Sequence, residues 1–235
     1  TSRQPQLVLK DNNILDQILK DGDTLICHLL PLDSEHIDTS RLKKVIYACH
    51  ETDVYRVDNI NPSKFDLIHY VSEFQRDWHN YTKVPNVVIP NVVTPIEKQK
   101  KTLDYEKVGG VIGAVNPVKR THVAIQAALD DGCDKVLVFG LRDPNHSEYW
   151  DDKVSPVVQD PKVLYLDSCD DKSLMYSDLD VVYHSCRRET FNYVEKECAM
   201  LKIPFVHTDD VNKEKEPITL VSDTEIMKMW EEVLK

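Results

Sequence analysis

Apolar residues in this chain fall in short unbroken runs rather than in alternation. Val- and Ile-rich stretches at 24–30, 44–50, 65–72 and 86–90 are followed, after a gap, by others at 107–113, 135–140, 162–167, 179–185 and 203–208. A strand solvated on one face alternates apolar with polar side chains, whereas one covered on both faces is apolar throughout. These runs therefore predict parallel strands buried between helices. Helical spacing lies between many of them. Ile14, Leu15, Ile18 and Leu19 recur at helical intervals ahead of the first run, and Val123, Ile125, Ala127, Ala128 and Leu129 follow the 107–113 run and stop at Asp131-Gly132. At 224–234, Ile226, Met229, Trp230 and Val233 share one face of an amphipathic helix. Strand, helix and strand in succession make βαβ units, so the expected fold is α/β, with two Rossmann-like doubly wound domains. The stretch 94–106 is polar and charged without apolar period, which reads as a linker. The expected domains are 1–97 and 98–235, with helix 224–234 able to pack back on the first.

Composition narrows the function classes. At 235 residues the chain accommodates two cores of roughly 100 residues each. No apolar run approaches the roughly 18 residues of a membrane span, and the first residues lack the basic start and apolar stretch of a secretory signal. A cytoplasmic protein is expected. The formal charge of −11 argues against a nucleic-acid partner, which needs a basic face. A nucleotide remains compatible with an acidic chain, given a local positive site. The six cysteines are scattered, with no CxxC and no ligand-like pairing with histidine, so neither a zinc site nor a disulfide framework is expected. Cys27, Cys49 and Cys186 lie in apolar segments and read as buried thiols. Nothing in the sequence decides whether the chain forms a homo-oligomer.

The strongest local signal is Ser185-Cys-Arg-Arg-Glu189-Thr-Phe-Asn192-Tyr-Val-Glu-Lys-Glu197-Cys-Ala-Met-Leu-Lys-Ile-Pro-Phe-Val206. It reads as the end of a strand, a polar turn, a helix and another strand. A helix beginning near Asn192 would point its first N–H groups into the crevice at the strand's carboxyl end, where open α/β sheets bind ligands, and such a terminus suits a diphosphate. This segment resembles the E-x7-E motif of the retaining GT-B glycosyltransferases of glycosyltransferase family 4, matching at Glu189, Phe191 and Glu197, with Thr190 and Asn192 where that family carries glycines. The resemblance implies a GT-B fold with a ligand cleft between its two domains. It implies that Glu189 contacts donor-sugar hydroxyls, that the turn at Thr190, Phe191 and Asn192 faces the sugar and phosphates, and that Glu197 binds the ribose.

A second segment, Val111-Ile-Gly113-Ala-Val-Asn-Pro-Val-Lys119-Arg120, resembles the Gly-Arg-x4-Lys opening of the family's C-terminal domain. Gly113 and Lys119 match, and Ala114 stands at the arginine position. Arg120, or Arg187 and Arg188 in the motif turn, could supply the missing phosphate contact, with Arg120 preferred. The segment after the 162–167 run looks like the loop that cups the base, which implies Ser168 and Asp170 as base-pocket residues. Gly140 ends its strand where the family has a glycine loop; a tight strand end accounts for it equally well. In the first half, His50, followed by Glu51 and Asp53, matches a strand-end histidine that the family places near the transferring sugar. The stretches 65–76 and 85–91 resemble the family's last N-terminal strands, while the acceptor-side Gly-rich loop has no counterpart in 7–13. So short a first domain resembles minimal members that large DNA viruses encode.

The implied activity is retaining transfer of a hexose from a nucleotide-sugar to a glycan or other hydroxyl acceptor, with Glu189, His50 and Lys119 around the reacting sugar. Lys119 and the helix terminus near Asn192 would take up the charge of the leaving diphosphate, so no metal and no cofactor is expected. Asp178-Leu-Asp180 enters a strand and reads as a cap rather than a metal ligand pair. Family prevalence ranks GDP-mannose first and UDP-glucose second as donor. The alternatives are a nucleotide-sugar epimerase on the same fold or a degenerate nucleotide-sugar-binding module. A Rossmann dehydrogenase is disfavoured, since no G-x-G-x-x-G follows any strand.

Overall fold

A computed structural model of the chain describes residues 18–28, 38–50, 60–187, 189–208 and 220–235. Residues Ile14, Leu15, Glu51, Asp53 and Arg188, and the stretch 7–13, lie outside the described residues. Every apolar run of the sequence contributes a strand. The chain divides into two compact units, Thr1–Asn91 with Ser222–Lys235, and Val92–Val221.

Unit 1 holds a four-stranded parallel sheet in the order β1 (Thr24–His28), β2 (Lys44–Cys49), β3 (Leu67–Tyr70) and β4 (Asn86–Val88). One face buries Val45, Tyr47, Cys49, Phe65, Ile68 and Tyr70 in a single core. Helix α1 (Glu73–His79) follows β3. Its N-cap Ser72 accepts the Gln75 N–H, and the left-handed Asn80 ends it. Gln75 is fully buried, and its amide accepts from Val71 N at 2.9 Å and donates to Cys49 Sγ at 3.4 Å, so both ends of the side chain are satisfied.

Unit 2 is a five-stranded, wholly parallel sheet ordered β7-β6-β5-β8-β9, with β5 (Val108–Ile112), β6 (Lys135–Phe139), β7 (Val163–Tyr165), β8 (Val181–His184) and β9 (Phe205–His207). Helices cover both faces. One side packs Ala124, Ile125 and Ala128 of α2 (Thr121–Asp130) and the helical run α3 (147–158), which contains a π turn at Trp150–Val154. The other packs Met175 and Tyr176 of α4 (Lys172–Ser177) and Cys198 of α5 (Tyr193–Leu201). This double covering is why the strands are apolar throughout. Glycine is required where layers touch: a Cβ on Gly109 would lie 2.9 Å from Cys133 Sγ, and one on Gly110 would lie 2.5 Å from Leu179 Cδ1.

The stretch read as a linker is bound along unit 2 instead. Asp178 accepts hydrogen bonds from Thr102 N at 2.5 Å and Leu103 N at 2.8 Å, Asp180 accepts from Lys101 Nζ at 2.6 Å and Val108 N at 2.8 Å, and Ile96 and Leu103 join the core beneath. A segment without apolar periodicity can still be ordered when carboxylates take its N–H groups. Those two aspartates are structural, as the expected cap requires. The last helix, α6 (Asp223–Leu234), belongs to unit 1. A capping box between Ser222 and Glu225 starts it, Lys43 Nζ donates to Leu234 O at 2.8 Å, and Trp230 sits 4.7 Å from the His69 ring.

Candidate functional site

In unit 2 the strand order reverses between β5 and β8: the chain moves outward from β5 through β6 to β7, then returns to β8. Loops leaving adjacent strands on either side of such a switch diverge and open a crevice at the carboxyl ends. The loops that leave the two strands here are 113–120 after β5 and 185–192 after β8, the two segments singled out in the sequence.

The first loop begins at Gly113, whose φ of +136° favours glycine. Beside it runs Gly140, where an added Cβ would fall 1.8 Å from the Gly113 carbonyl oxygen, so Gly140 is needed for the close passage of the two strand ends. Asn116 then accepts from Val118 N at 3.1 Å and Lys119 N at 3.0 Å, turning the chain back. Arg120 adopts φ +52° as the N-cap of α2 and makes no side-chain cap. The second loop is stapled to the first. Ser185 Oγ bonds the carbonyls of Lys119 at 2.9 Å and Arg120 at 2.7 Å, and Arg187 N donates to Val118 O at 3.3 Å.

That staple brings the Lys119 ammonium onto Glu189 Oε1, with His184 Nε2 at 3.4 Å from the same oxygen. Burial alone would raise the Glu189 pKa. The neighbouring His184 and the positive Lys119 outweigh it and hold the carboxyl at about 2, so Glu189 is an anion throughout the neutral range. Gly113, Lys119, Thr121, His184 and Ser185 line a small pocket here. In the turn that follows, the buried Nδ2 of Asn192 has no hydrogen-bond partner. Asn192 is the N-cap of α5, its Oδ1 accepting from Glu195 N at 3.2 Å; its φ of −84° means that no left-handed residue is needed where the resembled family has glycine. Thr190 and Phe191 are half-buried in the same turn.

Glu197 is nearly sealed, 2% exposed. Tyr176 OH donates to its Oε2 at 2.6 Å, and Lys172 Nζ pairs with its Oε1. Neither partner was singled out by the sequence reading; the i-to-i+4 register of Lys172 with the buried Tyr176 on α4 is the only trace of them there. Ser168 and Asp170 lie exposed on the loop between β7 and α4, where Asp171 caps the helix by accepting from Leu174 N at 3.1 Å. Arg120 is half-buried at the mouth of the staple.

His184 and Cys186 stand two residues apart in the sequence, a spacing not remarked among the scattered cysteines. One ligand atom each of His184, Cys186 and Glu189 lies within 4.8 Å of the others. The turn after β8 folds Glu189 back on residues that local spacing left unremarkable.

His50 lies in unit 1, just past β2. Its Nε2 meets His28 Nδ1 at 3.1 Å, and its ring is 6.2 Å from that of His69. Register explains the grouping: His28 and His69 both align with Ala48, and His50 follows on the same side two residues later. His69 donates from Nε2 to Ile89 O at 2.7 Å, and its Nδ1 is buried without a partner. Burial lowers the pKa of all three, that of His69 to about 4, so this group is neutral at pH 7.

No family model and no curated protein sequence matches the chain. Solved structures do. The chain is similar to TarM of S. aureus, as a mutant in complex with Fondaparinux, alpha-GlcNAc-glycerol and UDP, at 17% identity over 94% of this chain and 50% of that one, with a TM-score of 0.61. It is similar to HepE of Anabaena in complex with UDP and glucose (14% identity, 81% and 61% covered, TM-score 0.56). It is also similar to the pneumococcal O-GlcNAc transferase GtfA in complex with UDP and GlcNAc (12% identity, 94% and 52% covered, TM-score 0.57). The likeness shows the fold, which is the GT-B fold of Rossmann-like α/β domains. The chain spans about half of the TarM and GtfA chains and 61% of HepE. Among the described residues no helix is long and apolar enough to cross a membrane.

Proposed function

We propose that the chain is a glycosyltransferase that binds a nucleotide-sugar at the β5–β8 switch point of unit 2. The observation that carries this reading is the meeting of the Lys119 ammonium and His184 on the Glu189 carboxylate beside a pocket, in a turn that ends at Asn192, whose buried Nδ2 has no hydrogen-bond partner. A buried polar atom without a partner is costly, so the Asn192 amide beside these charged groups suits a ligand rich in acceptors. The N-terminus of α5 adds the positive end of its dipole.

In this reading the donor diphosphate takes Lys119 from Glu189, and Glu189, held as an anion, accepts from sugar hydroxyls. Fixed positive groups then stabilise the leaving diphosphate as the glycosidic bond breaks. Glu197 receives the ribose by exchanging Lys172 for a hydroxyl while keeping Tyr176. The exposed Ser168 and Asp170 border the base, and His50 serves the acceptor side from unit 1. The resemblance to glycosyltransferase family 4 supports retention of configuration. The complexes of TarM, HepE and GtfA with UDP favour a UDP-sugar over GDP-mannose, UDP-glucose first. Ala114, exposed where the family carries arginine, favours the second reading, a module that binds donor without turnover.

Calorimetric titration of UDP, UDP-glucose and GDP-mannose tests the reading. Binding of at least one, weakened by Glu197→Gln and by Lys119→Met, is the expected result. Failure of every donor to bind overturns it. Binding without transfer to any of a broad acceptor panel selects the second reading.

A further inference from the structure

His184 and Cys186 stand two residues apart at the carboxyl end of β8, and the stapled turn returns Glu189 to them. The ligand atoms of the three lie within 4.8 Å of one another. The 3.4 Å between His184 Nε2 and Glu189 Oε1 is the edge of a tetrahedron around an ion whose bonds are about 2.0–2.1 Å. His184 is 6% exposed, and its Nε2 is aimed at Glu189. The thiol of Cys186 is buried and not in a disulfide.

We propose that His184, Cys186 and Glu189 form a binding site for a divalent cation of the zinc class, with a fourth position open to water. The donor set decides the class. Imidazole, thiolate and carboxylate together suit Zn2+ and Co2+, whereas Mg2+ and Ca2+ take oxygen ligands. Charge agrees: a thiolate and a carboxylate balance the ion, so the loaded site brings no net charge to the buried strand end. Uptake breaks the Cys186 S–H bond, sends its proton to solvent and forms the metal–sulfur bond. The ion replaces the Lys119 ammonium on Glu189. That exchange is inexpensive, because the Lys119 side chain is 30% exposed and can turn to water. The proposal does not rest on the donor reading, since the ion is taken up without nucleotide; the loaded site holds Glu189 away from the donor sugar, so ion and donor are alternative occupants.

The test is titration of the purified chain with Co2+, followed by back-titration with Zn2+. One Co2+ per chain is expected, with tetrahedral visible bands and a thiolate-to-cobalt charge-transfer band that Zn2+ removes and Mg2+ does not. Cys186→Ser abolishes the charge-transfer band, and Cys169→Ser, at the more exposed thiol, leaves it. Because core substitutions can unfold the unit, Lys119→Met supplies an independent arm: removing the competing ammonium tightens Co2+ binding about tenfold or more. Absence of the band in the wild type, its survival in a folded Cys186→Ser variant, or unchanged or weaker binding in Lys119→Met overturns the site.

Discussion

The two units build the same kind of parallel sheet and finish its carboxyl end with opposite electrostatics. In unit 1 the strand ends present His28, His50 and His69, kept neutral by burial, with His28 stacked on His50, His50 edge-on to His69 and His69 against Trp230. In unit 2 they present ion pairs, Lys119 with Glu189 and Lys172 with Glu197. A sheet's polar end tolerates either solution, because a buried group can shed its charge or have it matched. Only the second offers charge that a phosphate can claim. The difference also separates the units in acid. Neutral histidines are lost to protonation at mild pH, whereas Glu189 stays ionised until far lower.

The largest effect that would break the comparison is at Gly140. Gly140→Ala sets a Cβ against the Gly113 carbonyl and is expected to destabilise unit 2 by about 4 kcal/mol, leaving unit 1 intact. Hydrogen exchange read strand by strand checks this, since amides of β5 and β6 should lose protection and those of β2 and β3 should not.

Acid sharpens the contrast. His69 has its pKa lowered from 6.5 to about 4, so the unfolded chain binds the proton first, and this contribution is complete above pH 6.5 and lost as pH falls toward 4. Unit 1 is expected to lose about 3 kcal/mol over that window, and His69→Gln to flatten the slope of urea midpoint against pH. Glu189 has its pKa depressed from 4.5 to about 2, so its contribution to unit 2 persists above 4.5 and disappears only as pH approaches 2. Simultaneous loss of both units near pH 5 would contradict the contrast.

Smaller effects test the charged end itself. Lys119→Met leaves Glu189 without its ammonium and is expected to cost unit 2 about 2 kcal/mol, discounted for the partial exposure of the lysine. The double variant with Glu189→Gln should recover most of that, as a double-mutant cycle in urea would show. Ser185→Ala removes the staple to two carbonyls and is expected to cost about 1 kcal/mol, with a greater relative loss in UDP binding than in stability.

Much of this arrangement was legible before any coordinates. The apolar runs located every strand, and Asn192 announced the start of α5. Glu189 and Lys119 were readable because each lies in a local motif after a strand. Tyr176 and Lys172 were not, since what distinguishes them is a partner more than twenty residues away, and His184 and the Asn192 amide were not, since their surroundings depend on how the turn folds. The order of the stretch 94–106 was not legible for the same reason: it comes from Asp178 and Asp180, not from the stretch's own pattern.

The sequence by itself determined the parallel α/β layering and the polar turns at the strand ends, because burial on both faces and helix capping act over a few neighbouring residues. Tertiary structure decided which turns meet. The strand order places β5 beside β8, Ser185 staples the two loops, and Glu189 thereby acquires Lys119 from 70 residues away. Hydrogen bonds and charge pairs depend on distances of a few ångströms between residues far apart in the chain, and only the packed sheet sets those distances.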